Sequence, residues 1–383
     1  MEFSTFSLGE YPSVTTRTIG GILDIHLFLG PTPEDVNIQF ANFVGNAEFP
    51  PYWAFGFHLS RYGYNSLDNY QVVYDRMIAA QIPWDSQTFD IDYMERRRDF
   101  TYDTVNFAGL PEFAEILHNN SMKLILMFDP ALVIDFDNYP PSQRGKDYDV
   151  FIKWESSDLI PDDQPEGTQD YVVGYVWPDN KTVFPDFFNP VTADWWANEI
   201  ALFHKEIPFD GIWIDMNEPS NFGTNTEKPF NWPDDLPPWS LKCPNNTRED
   251  PPYATLAAFS NENECKRISD KTICMSTVQT DGINTYSHYD VHNLYGFKEI
   301  VATHTRAMTT TINPGERPFI LTRSAYPGAG HYTAHWTGDN SATWDQLKSS
   351  IIDYSSFRKS SLDVSSSELY LYSNYDEAKL LNI

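Results

Sequence analysis

Two apolar runs in this chain stop on an acid. KLILMFD (123–129) and GIWID (211–215) are nearly unbroken strings of large hydrophobic side chains, each closed by an aspartate. A strand with one wet face alternates apolar and polar residues, whereas a run apolar at every position fits a strand buried on both faces. A carboxylate at its end costs several kcal/mol in a dry site unless it is paired, hydrogen-bonded or protonated. The pattern recurs. AFGFH (54–58), WDSQTFD (84–90), PFILT (318–322) followed by Arg323, and HWTGD (335–339) read as further strands, several closing on charged residues. Between them lie helical stretches through Val72, Val73 and Met77, and over 111–119, 195–204 and 289–309. Strands alternating with helices predict a parallel sheet in an α/β fold, with its site at the strands' carboxyl ends. A doubly wound open sheet shares that property, but its Gly-rich phosphate fingerprint is absent, so a (β/α)8 TIM barrel is expected.

The 383 residues suit one large barrel-class domain or two ordinary ones. GILDIHLFLG (21–30) is β-rich, so residues 1–50 read as the tail of an N-terminal β domain and 51–352 as the barrel. Two insertions, at about 135–186 and 223–287, are rich in Pro, Asn and Asp and fall on the expected active face. Residues 353–383 form a divergent C-terminal tail. MEFSTFSLGEYP has no basic n-region or apolar h-region, and no run reaches membrane-spanning length. The expectation is a chain that starts partway through a longer protein, with no signal peptide or anchor of its own.

With 54 acidic against 26 basic residues, the net charge of −28 repels nucleic acid and anionic membranes. An uncharged sugar is indifferent to that field. Eleven Trp and 22 Tyr fill a large core, or offer flat faces to sugar C–H surfaces. Cys243, Cys265 and Cys274 allow one bridge at most, and no spacing suggests zinc. Sequons at Asn119, Asn180 and Asn245 favour a secretory route.

Two carboxylates flanking a glycosidic bond, one nucleophile and one acid/base, are the minimal machinery of a retaining glycosidase. Asp215, between Ile214 and Met216 at a strand end, suits the nucleophile; Asp339 suits the acid, with Trp336 near enough in sequence to shield it from water. Glu218 is equally placed as nucleophile or as a supporting group, and Arg323 as a substrate fork or the partner of a structural acid. Either aspartate also fits a plain helix cap or turn. His288 and His292 stand four apart, a metal-ligand spacing, but no third ligand is evident; a cap at Asp290 and two surface histidines fit as well. The glycines of PGAGHYTAHWTGD read as turn-formers, and Arg96-Arg-Arg98 as a solvated face.

WIDMNEPSNF (213–222) resembles the signature of the family 31 glycoside hydrolases, the α-glucosidases. The resemblance runs in order through PPYWAFGFHLSRYGY, DIDYMERRRDFTYD, LILMFDPAL, VWPDNKTVFPDFFNP, LTRSAYPGAGHYTAHWTGDN and WDQLKSSI. CPNNTREDPPY and YDVHNLYGFKE look like the intestinal maltase–sucrase branch. The resemblance implies Asp215 as nucleophile and Asp339 as acid/base, with Asp90 and Arg323 binding sugar hydroxyls. Ile91, Leu132, Trp177, Trp213, Met216, Phe222 and Trp336 would line or border the pocket. It implies cleavage of terminal α-linked glucose from maltose-like oligosaccharides with net retention, no metal or organic cofactor, and an extracellular or secretory setting. It also implies a small β subdomain after the third strand and a Cys243–Cys274 bridge, leaving Cys265 unpaired. Past Ile352 the sequence shows no family pattern, which leaves about six barrel strands and an incomplete barrel. A truncated, inactive form of such an enzyme is the competing expectation.

Overall fold

The computed structural model describes residues 3–8, 11–17, 24–168, 170–252, 267–336, 338–339 and 343–348. The chain divides into two compact bodies. One holds Met1–Leu27, Ala131–Thr192 and Glu218–Tyr295; the other holds Phe28–Pro130, Ala193–Asn217 and Gly296–Ile383. In chain order the first elements are β1 (Phe3–Ser7), β2 (Ser13–Arg17), α1 (Pro33–Val44), β3 (His58–Leu59), α2 (Leu67–Ala79) and β4 (Ser86–Phe89). Then come α3 (Leu110–Asn119), β5 (Lys123–Phe128), β6 (Leu132–Val133), α4 (Pro140–Asp147), β7 (Lys153–Trp154), β8 (Val173–Gly174) and β9 (Thr182–Val183). The chain continues through α5 (Pro190–His204), β10 (Gly211–Ile214), β11 (Thr277–Thr280), β12 (Thr285–Ser287), α6 (Tyr295–Ala302), β13 (Ile320–Thr322) and β14 (Ala334–His335).

The second body is built on one six-stranded sheet in the order β14-β13-β10-β5-β4-β3. Every pairing in it is parallel. β5 and β10 are buried along almost their whole length, as their unbroken apolar sequence requires. β4 is also buried, yet reads Ser-Gln-Thr-Phe. Its polar groups are satisfied: Ser86 Oγ lies 2.7 Å from His58 Nδ1, and Gln87 Nε2 donates to Leu59 O at 2.9 Å. The sheet is curled. Phe319, just before β13, stacks on His58 of β3 at 5.3 Å and meets Trp53 at 5.0 Å, although β3 and β13 are four places apart in the sheet. Six parallel strands rolled far enough for such a contact form an incomplete (β/α)8 barrel.

Helices cover this sheet with apolar stripes. α3 buries Leu110, Phe113, Ala114 and Leu117, the i, i+3, i+4, i+7 set of one helix face. Burying each of its Leu or Phe side chains is worth about 1.5–3 kcal/mol. α2 turns Tyr70 inward to stack on Phe89 at 3.8 Å. From α5, Trp196 is fully buried and donates its indole N–H to Thr303 Oγ1 at 2.9 Å.

Several expectations are corrected. The strand read at 54–58 shrinks to His58–Leu59, because Tyr52–Phe55 forms a 3-10 turn. Residues 24–30 of the β-rich run carry no strand, and α1 follows them. Thr32 caps that helix and Asp35 answers it in a capping box, while Phe28 packs on Phe40 and Phe43 at 5.7 and 5.6 Å. The helix expected over 289–309 breaks into turns, α6 and a π-helix over Thr303–Ile312. The hydroxyls of Thr309, Thr310 and Thr311 each bond the carbonyl five residues back, a reach that suits the wider turn. Arg98 is buried rather than solvated.

In the other body β1 and β2 form an antiparallel hairpin. The insertion after β5 carries the sheet β6-β9-β8, as a small β subdomain requires. The second insertion, expected to be loop, contains β11, which pairs antiparallel with β12 and with β7 of the first insertion. Cys243 and Cys274 are bridged; Cys265 lies outside the described residues. His288 is fully buried and not a surface group. Among the described residues no helix is long and apolar enough to cross a membrane.

Candidate active site

Strand register gathers the charged ends. Ile214 of β10 sits opposite Phe128 of β5 and Thr322 of β13. The next residues, Asp129, Asp215 and Arg323, therefore emerge side by side on three neighbouring strands. Asp90 closes β4, the strand beyond β5. Parallel strands in matched register thus deliver three acids and one guanidinium to a single carboxyl edge.

Asp215 is anchored through its backbone, whose N–H bonds Phe128 O at 3.1 Å. Its side chain, 14% exposed, takes Arg323 Nη1 on Oδ1 at 3.0 Å and the Met216 N–H on the same oxygen at 2.7 Å. Met216 adopts φ +56°, a left-handed conformation that costs a non-glycine residue on the order of 1–3 kcal/mol. That strain turns its amide towards the carboxylate and its thioether towards Arg323, whose Nη2 lies 3.1 Å from Sδ. Asn217 then joins the two strand ends. It donates to Thr322 Oγ1 at 2.9 Å and accepts the Ser324 N–H at 2.8 Å. α6 backs this junction so closely that a Cβ on Gly296 would lie 2.7 Å from Asn217 O. Asp215 and Arg323 are fixed by a framework. They do not meet by chance rotamers.

Asp90 is 5% exposed and caps the turn over Ile91–Tyr93, taking the Ile91 N–H on Oδ1 at 2.7 Å. Ile91 is buried beside it. Trp213 and Trp336 meet edge to face at 5.3 Å and are both nearly buried. Asp339 lies four residues past β14 and is exposed.

A family model of the glycosyl hydrolases family 31 TIM-barrel domain matches residues 47–377. The chain belongs to this family. The match passes Ile352, where sequence reading placed the end of the family pattern, and takes in most of the tail. Among family 31 relatives, intestinal sucrase-isomaltase of Oryctolagus cuniculus is 42% identical over 344 residues, covering 89% of this chain and 17% of that protein. Lysosomal alpha-glucosidase of Mus musculus is 38% identical, covering 90% and 32%. The catalytic subunit in a crystal structure of the ER glucosidase II heterodimeric complex superposes with a TM-score of 0.66 at 27% identity, covering 91% and 33%. The chain thus spans about a fifth to a third of the length of these proteins.

Of the residues singled out in this family 31 sequence, Asp90, Ile91, Trp213, Asp215, Met216, Arg323, Trp336 and Asp339 fall in the barrel body. Leu132, Trp177, Glu218 and Phe222 fall in the other. There Leu132 is fully buried, and Trp177 packs edge-on against Phe222 at 4.7 Å. Phe230, 63% exposed, sits 5.6 Å from Phe222. Sequence reading passed over Phe230, whose only signal is another aromatic in a Pro- and Trp-rich loop. It also gave no role to Asp129, although that residue ends a strand as Asp215 does, or to Asn217.

His288 and His292, the metal candidates, form a hydrogen-bonded pair at 2.9 Å, with Gln279 Oε1 3.0 Å from His288 Nδ1. With Oε1 as acceptor, His288 Nδ1 carries a proton and Nε2 accepts from His292. That chain uses the facing nitrogens in bonds to protein rather than to an ion. Burial pushes His288 far below the ordinary histidine value and His292 down to about 4.

Proposed function

We propose that the protein is a retaining exo-α-glucosidase acting on terminal non-reducing α-linked glucose of maltose-like oligosaccharides. The observation that carries this reading is the Arg323–Asp215–Met216 arrangement, which holds one carboxylate oxygen by two donors at the mouth of a curled parallel sheet. In this mechanism the other oxygen of Asp215 attacks the anomeric carbon, while the Asp339 carboxyl gives its proton to the departing glycosidic oxygen. The carbon–oxygen bond breaks with its electron pair leaving on that oxygen, and a glucosyl ester of Asp215 remains. The Asp339 carboxylate then takes a proton from water, whose oxygen displaces Asp215 and restores the α configuration. Arg323 holds the Asp215 carboxylate in place and steadies it as it leaves. Asp90 hydrogen-bonds sugar hydroxyls, and Trp213 and Trp336 supply apolar walls. Ile91 and Met216 border the pocket within the same body.

The names of the relatives support the substrate class. The bridged Cys243–Cys274 and the exposed sequon asparagines Asn119, Asn180 and Asn245 support an extracellular or secretory setting. One observation favours a second reading, sugar binding without turnover: Asp339 is exposed, where a proton donor is better shielded. Proton NMR of maltose incubated with the purified protein decides between them. α-Glucose appearing before mutarotation supports the hydrolase. Line broadening of maltose without product supports the binding protein, and early β-glucose in excess of what the anomeric mixture at the reducing end of maltose supplies contradicts retention.

A further inference from the structure

Asp129 lies in the middle of the carboxyl edge and is 2% exposed, yet its Oδ1 has no hydrogen-bond partner among the described residues. Asp99, 1% exposed, stands against it from the loop after β4 and takes the Asp129 N–H on Oδ1 at 2.7 Å. Around Asp129 stand Asp90 from β4, Asp99, Asp215 from β10 and Arg323 from β13. Four aspartates therefore lie within reach of the Arg323 charge. Were all ionised in so dry a place, Arg323 would be drawn towards several anions, and its 3.0 Å contact with Asp215 would lose its preference.

We propose that Asp129 is a positioning residue held as the neutral acid, so that the single charge of Arg323 stays committed to Asp215. Asp99 is the better anion of the two because the Asp129 amide donates to its carboxylate. Each acid keeps one buried oxygen without a hydrogen bond among the described residues, Oδ1 of Asp129 and Oδ2 of Asp99, and burial pushes both carboxyls well above the usual range; Asp129 additionally meets the charges of Asp99, Asp215 and Asp90, against which Arg323 works. The catalytic consequence rests on the reading of Asp215 as nucleophile; the protonation state does not.

The test is infrared spectroscopy of the full chain at about pH 7, comparing wild type with Asp129→Asn and Asp99→Asn. Asp186, pushed up to about 7 by burial, contributes a carboxyl C=O stretch in every variant. The expected result is a further such stretch that wild type and Asp99→Asn share and that is lost in Asp129→Asn, as read from the wild-type-minus-variant difference. A wild-type spectrum without that stretch overturns the proposal, and this arm needs no variant to fold. Carboxyl bands unchanged between wild type and Asp129→Asn, or a loss seen only in Asp99→Asn, place the proton elsewhere and also overturn it. The second readout is the acid limb of kcat/KM on maltose, which reports ionisation of the nucleophile. With Asp129 neutral, the midpoint of that limb stays in place in Asp129→Asn, whatever the level of activity. A downward move of about one pH unit or more means that a negative charge has been removed, and it contradicts the proposal. A wild type that turns over no maltose counts against the proposed function alone, because the infrared result still decides the state of Asp129.

Discussion

At the residue scale, the two proposed catalytic acids differ in how the fold treats them. Asp215 is held on one oxygen by Arg323 and by the strained Met216 amide. Replacing it with Asn keeps the shape and removes the attacking charge, so kcat should fall by roughly 10³-fold or more while the protein stays folded. Asp339 has a different duty, and its removal should depend on the leaving group. Asp339→Asn should slow maltose by at least about 10²-fold but spare an aryl α-glucoside whose phenolate leaves without a proton. Steady-state rates on both substrates check this; equal losses would remove Asp339 from proton donation. Sequence reading reached Asp215 and Arg323 because each follows an apolar strand. It passed over Asp129, which stands in the same kind of position, because a protonated positioning acid and a working carboxylate are written with the same letter.

At the scale of elements, apolar runs were legible and the strands inside the long insertions were not. β5 and β10 read plainly, since nothing but a doubly buried strand accommodates KLILMF or GIWI. β4 was legible within WDSQTFD despite its polar residues, whereas β3 contracted because its polar pairing partners lie 28 residues away. β11 hid in a loop-like stretch because one of its two partners, β7, belongs to another insertion. The amino end of the sheet has its own charged clamp. Asp210, before β10, accepts from His118 Nε2 and Lys123 Nζ at 2.7 Å and from the Leu124 N–H at 2.9 Å. Burial works to raise its pKa, but those three donors outweigh it and hold the carboxyl below the ordinary range. Asp210→Ala leaves Lys123 and a backbone amide without their acceptor and should cost about 2–3 kcal/mol, read by chemical denaturation. A change below about 0.5 kcal/mol would show that the clamp adds nothing to the junction of β5 and β10.

For the molecule as a whole, the histidine pair predicts a dependence on acidity. His288 and His292 are both pushed below the ordinary value of 6.5, chiefly by burial. The unfolded chain therefore takes up protons that the folded chain refuses. The stability they contribute is complete above about pH 6.5 and is lost as pH falls towards 4. The melting temperature of wild type should drop more steeply across that window than that of His292→Gln; parallel curves would mean that His292 takes up its proton alike in the folded and unfolded chain. The curled six-strand sheet itself was visible in the alternation of strand and helix, together with the acidic strand ends. The contact of Phe319 with His58 across the curl was not, because nothing local in either segment names the other.

The account turns on Asp215 forming a bond to glucose. Incubation with an activated fluoroglucosyl substrate whose ester intermediate hydrolyses slowly, followed by digestion and mass spectrometry, measures this directly. The account predicts one added fluoroglucosyl unit on the peptide containing Asp215, absent in Asp215→Asn. The same adduct on Glu218, or labelling that persists in Asp215→Asn, would contradict it.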